Sequence, residues 1–456
     1  MEAETTVNAT GTKIKKEEIY GEDEPLTKKQ RISEAINNAQ KRDVLSELNC
    51  NNIIKYYENL QRGNSVQKYR HSVKLSLINQ IKSFKVAKAE SPFDRRVTYI
   101  EWHPVNPKLV AVASKSGDII LWNYEEAINT SYMVKGIGAG GSVQAMKFDL
   151  HTPHKVYTVS IEGKFLFLDF KTKKAEQFLD TSDFKKWYVS LDINWGSRTM
   201  VVGDNRGELT ILTLDGEVTD RVKLHKSGTR ISHAEFSKRE PWLLCTTSTD
   251  YTVKLWDIRN LKRGKNGMAI PLRTIEHQKA LNAAYFSLTD GCRLLTTDQF
   301  DKICVYRSPL WNLETEINHP HRQYQHLTPI RAYWHPLEDI IIIGRYPHIN
   351  FPGYVKDELR TIDFFDADTG ELLHQHSESG FNGIASLNKF NITGDTLASG
   401  TGTRILIWKP AFTTVTSSNS SKEYDDNDEG SRRLPAPRMK SSSVNSKPSK
   451  SKKKKV

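Results

Sequence analysis

Residues 231–259 read ISHAEFSKREPWLLCTTSTDYTVKLWDIR, and the order of segment types in this run decides the fold class. An alternating segment ends on an aromatic at Phe236, a polar turn follows, and an apolar run comes next. Thr249, Asp250 and Tyr251 then turn the chain into a strand that closes on Trp256. Period-two alternation marks half-buried strands, and Asp- or Gly-bearing breaks between them mark tight antiparallel connections. The same grammar recurs upstream, as VTYIEWHP at 97–104 and LVAVASKSGDIILWNY at 109–124.

Working outward from these copies, equivalent closing positions fall at Trp122, Leu168, Leu212, Trp256, Val305, Phe364 and Trp408, in steps of 46, 44, 44, 49, 59 and 44 residues. A period of roughly 40–45 residues with four short strands per unit predicts an all-β chain folded as a seven-bladed WD-repeat β-propeller over residues 91–411. A sandwich would not keep so constant a period. The runs at 109–113, 200–202 and 340–343 are almost continuously apolar, as strands covered on both faces by neighbouring blades must be. Gly117, Gly163, Gly207 and Gly291 stand where tight turns need a positive φ.

The flanks read differently. Residues 1–40 are polar, with basic clusters at Lys13 to Lys16 and Lys28 to Arg31, and are expected to have no fold of their own. Residues 41–90 predict a helical hairpin. Ile53, Ile54, Tyr57 and Leu60 line a first helix that stops at Gly63. Val66, Tyr69, Val73, Leu77, Ile81 and Phe84 form the stripe of a second, opened by a capping box at Asn64 and Gln67. Such a hairpin either packs on the β body or docks into a partner's groove. Residues 412–456 carry Ser/Thr runs, an acidic patch at 423–429 and a basic end, again without a fold.

The net charge is +12, yet residues 430–456 hold ten cations and no acid. What precedes them is therefore nearly neutral, at 12 − 10 = +2, and any affinity of the folded part for an anionic polymer must come from a local patch. The clusters at both ends point to nuclear import. Cys50, Cys245, Cys292 and Cys304 have no metal-ligand or CxxC spacing, and there is no secretory signal or membrane-length apolar run, so a reduced intracellular protein and no membrane are expected.

One repeat is too long. The 59-residue step holds extra length at 319–336, HPHRQYQHLTPIRAYWHP, and at 346–356. Tyr324, Gln325 and His326 precede the Thr328-Pro329 breaker, so they fall on an exposed turn, read as a binding element or as a solvated loop. His319, His321, His326 and His335 cluster, but His-Pro recurs at 103–104, 319–320 and 335–336, which favours a turn role over a zinc site. Gly136 to Gly141 is followed by a β segment at Val143–Phe148 where a phosphate loop needs a helix N-terminus, and it reads as a flexible inter-blade connector. In the box Trp256, Asp257, Ile258, Arg259, Trp closes a blade and Asp meets backbone donors; Arg259 is the less generic member. No catalytic constellation, cofactor site or metal site stands out.

FDRR at 93–96, EWHP at 101–104, GDIILWN at 117–123, KGIGAGGS at 135–142, LLTTDQ at 294–299, HPHR at 319–322, YQHLTPI at 324–330, GRYP at 344–347, ELRTIDFFD at 358–366 and GDTLAS at 394–399 go beyond generic WD repeats. Over residues 50–409 the chain resembles the small subunits of the UV-damaged-DNA-binding complex, WD propellers that act as substrate receptors of cullin-RING ubiquitin ligases. The resemblance implies a non-enzymatic nuclear protein of nucleotide excision repair. It implies that Tyr324, Gln325 and His326 form a hairpin pushed into damaged duplex DNA while the lesion dinucleotide is flipped into a shallow pocket, and that Arg96, Lys115, Arg230, Arg322 and Arg345 hold the backbone. Ile54, Tyr57, Val66, Tyr69, Val73, Leu77 and Ile81 of the helical hairpin, with Trp256, Asp257 and Arg259, would then face the large damage-binding adaptor that links receptor to cullin. Two positions depart from the family: Tyr324 stands where relatives have Phe, and Arg230 where they have Lys. A histone- or protein-binding scaffold of the same ligase, with only non-specific DNA affinity, is the competing expectation.

Overall fold

The computed structural model describes residues 67–411, apart from 184, 266, 325 and 378–382. Seven four-stranded antiparallel sheets form the blades, and in six of them the strand order follows the chain. The seventh is built from both ends of the described chain. Ala385–Phe390, Leu397–Thr401 and Arg404–Pro410 supply its inner strands, and Phe84–Glu90 pairs outside them, with Phe84 opposite Pro410 and Glu90 opposite Ile405. This strand completes the outer edge of the seventh blade and closes the ring by joining the two ends of the described chain in one sheet.

That closure corrects two sequence expectations. The predicted boundary at residue 90 lies inside the seventh blade, and the stripe through Phe84 is not one helix. Helix α1 (Gln67–Lys82) ends where Ser83 turns back to bond the Gln80 carbonyl at 2.7 Å. The run FKVAKAE then buries Phe84 and alternates with period two, so the helical spacing ends one residue before a strand begins. The strand register also shifts two closing positions: Tyr306 and Phe365, each opposite the second residue of its neighbouring strand, are the equivalents of Trp122 and Trp256. The alternation predicted there is right, but the neighbouring residues Val305 and Phe364 were one place off.

The core is a ring of inter-blade clusters in which Trp122, Trp256 and Trp408 are fully buried. Trp256 donates to Thr246 Oγ1 at 2.8 Å, Thr246 meets His225 Nε2 at 2.7 Å, and His225 Nδ1 lies 3.0 Å from Asp250. A buried indole N–H and imidazole are thereby satisfied, as burial demands. Trp256 is thus a core residue, which corrects its expected place on a partner surface.

Helix α1 lies against blades six and seven. Leu77 and Ile81 are buried with Phe84 among Ile340, Ile342, Phe364, Phe390 and Trp408, with Val73 partly buried beside them. Lys74 Nζ reaches Asp366 at 2.6 Å and Asp368 at 3.3 Å. Leu77 and Ile81 therefore face the propeller, not an external groove, because burying two aliphatic side chains here stabilises the fold by about 3–6 kcal/mol. Ile54, Tyr57 and Val66 lie outside the described residues, and for Tyr69 only the backbone is described.

With strands numbered outward from the axis, antiparallel pairing sends every connection between second and third strands, and every connection from one blade to the next, to one end of the ring. We call this the upper end. Connections from first to second and from third to fourth strands emerge at the lower end.

Candidate nucleic-acid interface

The topology gathers every sequence-predicted DNA residue among the described residues on the upper end. Arg96 lies in the connection 91–96, Lys115 in 115–118, Arg230 in 224–230, Arg322, Tyr324 and His326 in 319–332, and Arg345 in 345–361. One long connection leads from blade five into blade six, the other joins the second and third strands of blade six, and they stand side by side: Tyr346 N–H bonds the Pro320 carbonyl at 2.8 Å, while His348 Nε2 meets Asp301 of blade five at 2.9 Å.

The turn at Tyr324 is anchored on both flanks. Gln323 N–H donates to the Gln299 carbonyl at 2.9 Å, and its side-chain amide donates to the carbonyls of Tyr324 and Leu327 at 2.8 and 3.3 Å. Leu327 N–H closes the turn on Tyr324 O at 3.0 Å, and buried Thr328 donates to the Val97 carbonyl at 2.6 Å. Arg96 Nη1 holds the His326 carbonyl from below. The Tyr324 ring is half-buried, edge-on to Tyr346 at 5.6 Å, and 5.8 Å from the exposed His326 ring. Gln325, between them, lies outside the described residues. The segment is therefore a braced turn presenting an aromatic and an imidazole, an arrangement suited to stacking on bases.

Charge around the turn is uncompensated in a specific way. Arg96, Arg230, Arg322 and Arg331 each have a buried Nε without a hydrogen-bond partner among the described residues. Neither Arg96, Lys115, Arg230 nor Arg331 is in an ion pair there. Burial lowers the Arg96 and Arg230 pKa values, Arg331 adding to the effect at Arg230. Lys115 is lowered by Arg96 first, then by burial and Arg95. Buried cations without acids are costly unless an anion completes them. Arg322 is less free: it meets Asp301 at 3.2 Å and lies 3.7 Å over the Phe300 ring. Arg345 is ion-paired to Glu358 and, at 3.2 Å, to Asp363. Its charge is held by acids and ties the 345–361 connection to its blade.

Beneath the far flank of the turn lies a cavity of about 1200 Å³ between blades seven and one, with Arg95, Arg96, Lys115 and Arg404 on its walls beside His326 and Thr328. The Gly136–Gly141 run borders this end, but it is packed and not the free connector expected. Gly136 donates to Asp118 at 3.0 Å, and a side chain on it would collide with Ser116 O at 2.3 Å. Arg95, Arg331 and Arg404 were missed from sequence because single arginines in loops and strands carry no spacing signal; only their shared lack of acids marks them.

The histidines divide as their neighbours dictate. His103 and His335 accept backbone N–H groups of their own turns, at 2.8–3.0 Å and 3.2 Å. His319 and His321 are buried and stack at 5.4 Å, His319 with Asp363 at 3.4 Å and a pKa pushed down to about 4 by burial. Among the described residues no group of three or more His, Cys, Asp or Glu is placed to hold a metal ion.

At the lower end, Arg259 is exposed, clasped by Asp257 through two bonds of 2.9 and 2.8 Å, and set 4.8 Å over the Trp242 ring. The Arg259 clasp holds the Asp257 carboxyl below its usual range. The pair is a presented side chain on the end opposite to Tyr324.

A family model described as "WD domain, G-beta repeat" matches residues 216–257, a span that begins just ahead of the outer strand of blade three and runs through the third strand of blade four. DNA damage-binding protein 2 of Gallus gallus is 44% identical over 367 residues, covering 79% of this chain and 71% of the relative. The protein of that name from Bos taurus is 40% identical over 363 residues, covering 79% and 83%. Protein DAMAGED DNA-BINDING 2 of Arabidopsis thaliana is 29% identical over 331 residues, covering 69% and 58%.

Proposed function

The chain belongs to the DNA damage-binding protein 2 family, and on that premise we propose that it recognises UV photolesions in duplex DNA with the upper end of its propeller. Tyr324, Gln325 and His326 enter the duplex at the lesion, and the damaged dinucleotide leaves the stack. A damaged base step is already poorly paired, so its extrusion costs less than that of intact DNA by on the order of a few kcal/mol, and damage is selected without reading base sequence. Arg96, Lys115 and Arg230 hold the bent backbone, with Arg322, Arg95, Arg331 and Arg404 as further cations of the same end. The protein binds and does not catalyse. The observation that carries this reading is the coincidence of a braced aromatic turn with the half-buried Arg96 and Arg230, whose buried Nε atoms have no hydrogen-bond partner and which are in no ion pair among the described residues, on a body whose net charge is close to neutral.

In this reading the same chain is a nuclear substrate receptor of a cullin-RING ligase. Residues 41–66 dock into the large damage-binding adaptor, and Asp257 and Arg259 meet it from the lower end. DNA and adaptor then occupy opposite ends and bind together.

The experiment is a competition assay at stated salt between UV-irradiated and intact duplex. Replacing Arg96 and Lys115 by Ala should weaken both, because phosphate contacts carry no sequence or damage information. Unchanged binding of both duplexes would remove the upper end as the DNA surface. Deleting residues 51–66 should leave DNA binding intact and remove the adaptor from the purified complex; an adaptor still co-purifying would sink the docking assignment.

A further inference from the structure

In blades one, two and three the turn from second to third strand passes through Gly117, Gly163 and Gly207, with φ of +87°, +80° and +85°. Strand register puts Tyr251 of blade four at the same place, with φ of +71°. A bulky side chain is strained in this backbone region, where glycine is not. Packing does not offset the strain. The Tyr251 side chain is 50% exposed and makes no hydrogen bond, ion pair or ring contact among the described residues. Other groups hold the turn: Asp250 accepts from Lys226 N–H at 3.2 Å and from Thr252 N–H at 3.1 Å, and the Tyr251 carbonyl accepts from His277 N–H at 2.8 Å. The fold needs the turn and has no use for the ring.

The ring stands at the upper end, beside residues already placed there. Thr249 N–H donates to the Arg230 carbonyl at 3.2 Å, and Thr249 Oγ1 accepts from Arg230 N–H at 3.1 Å. In the connection from blade four to blade five, exposed Lys279 lies 4.9 Å over the ring of Phe300, an exposed residue on the second-to-third turn of blade five. Arg322 lies 3.7 Å over the same ring. Tyr251, Lys279 and Phe300 therefore run from Arg230 to Arg322 across blades four and five, on the other side of the Tyr324 turn from the cavity between blades seven and one. The acids of these turns face inward: the Asp250, Asp298 and Asp301 side chains are 7%, 4% and 16% exposed and lie 3.0–3.4 Å from His225, His321 and Arg322 respectively. What the arc displays is aromatic and cationic. Lys226 and Lys279 are exposed and in no ion pair among the described residues, and Glu276, at the end of an outer strand, is the exposed acid outside an ion pair.

We propose that Tyr251 is a DNA-contact residue, which extends the DNA surface across blades four and five by laying its ring against the sugar–phosphate backbone on one flank of the lesion. The inference rests on the reading of the upper end as the DNA surface and adds a second region to it. Tyrosine suits such a contact, because its face packs on deoxyribose and its hydroxyl donates to a phosphate oxygen. Lys279 meets a neighbouring phosphate, and Phe300 is a positioning residue that holds Lys279 and Arg322 over its ring. A duplex supplies a negative charge at every step along the arc, which matches exposed lysines that have no acids of their own. Backbone contacts carry no damage information, so Tyr251 adds affinity for lesion and intact duplex alike and leaves their ratio unchanged.

The test follows fluorescence anisotropy of the full chain on a lesion duplex with a full helical turn on each side, and on the same duplex with either flank cut back to the base pairs beside the lesion. Tyr251→Gly removes the ring and the strain together. Tyr251→Asn, which also tolerates positive φ, controls for the added backbone freedom of glycine. Both variants should bind the two-flank duplex about fivefold more weakly than the parent chain, with the unfolding midpoint unchanged or raised. The loss should persist when one flank is cut and vanish when the other is, because a single flank crosses blades four and five. Undiminished binding of the two-flank duplex by both variants, an equal loss on all three duplexes, or a lowered midpoint would overturn the inference. Arg96→Ala separates it from the reading it rests on. If Arg96→Ala weakens binding and the Tyr251 variants do not, the DNA surface stands without blades four and five; if none of them weakens it, the upper end is not the DNA surface.

Discussion

Tyr324→Phe isolates one hydroxyl at the centre of the proposed wedge. In the structure the Tyr324 ring meets Tyr346 edge-on at 5.6 Å and His326 at 5.8 Å, and its hydroxyl makes no hydrogen bond among the described residues. Removing that oxygen should leave the unfolding midpoint unchanged. Inside a duplex the ring replaces stacked bases, and a hydroxyl lodged there without a partner costs about 1–3 kcal/mol. Even the lower figure corresponds to about fivefold in affinity. Tyr324→Phe should therefore bind lesion-containing duplex at least about fivefold more tightly and leave intact-duplex affinity as it was, since intact DNA does not admit the ring. The assay is fluorescence anisotropy with matched lesion and undamaged duplexes at one salt concentration. A fall in lesion affinity would show that the hydroxyl finds a donor or acceptor in the complex; an unchanged ratio would place the ring outside the duplex. Either result refutes the reasoning.

Other expectations follow from the same geometry. Arg96→Ala should reduce the slope of log affinity against log salt by about 0.9 for each phosphate the arginine neutralises, whereas Arg345→Ala, whose charge is held by Glu358 and Asp363, should leave that slope unchanged and lower stability instead. Ile81→Ala should cost about 2–5 kcal/mol in urea unfolding, because it empties a site between helix α1 and blades six and seven; Arg259→Ala, exposed at the lower end, should leave the unfolding midpoint where it is. Acid should destabilise through buried histidines. The His319 pKa is about 4 in the folded state against an ordinary value near 6.5, so the unfolded chain binds the extra proton. Stability is then full above about pH 6.5 and falls as pH drops toward 4, by up to about 3 kcal/mol for this residue, with no further loss from it below that pH. Thermal unfolding between pH 7 and pH 4 checks this, and His319→Asn should flatten the curve.

The blade count and the location of the binding end were legible because both rest on periodicity. A repeat near 44 residues forces seven sheets, and antiparallel order then puts the overlong connections of blade six on one end whatever their side chains do. Closure by Phe84–Glu90 was not legible, because a seven-residue strand directly after a helix leaves no break: Phe84 fits the helical stripe and the strand alternation equally well. Burial settled Leu77, Ile81 and Trp256, for an apolar helix face is as suitable for a propeller flank as for a partner groove. Arg345 looked like Arg96 in sequence and differs only in having Glu358 and Asp363 beside it.

The central claim is that the turn at residues 324–326 senses damage. Its most direct test is the ratio of affinities for UV-irradiated and intact duplex in the full chain with Tyr324, Gln325 and His326 all replaced by Ala. The account predicts that the preference for irradiated DNA disappears while weak, salt-sensitive binding to both duplexes persists through the arginines of the upper end. A preference that survives the substitution would contradict it.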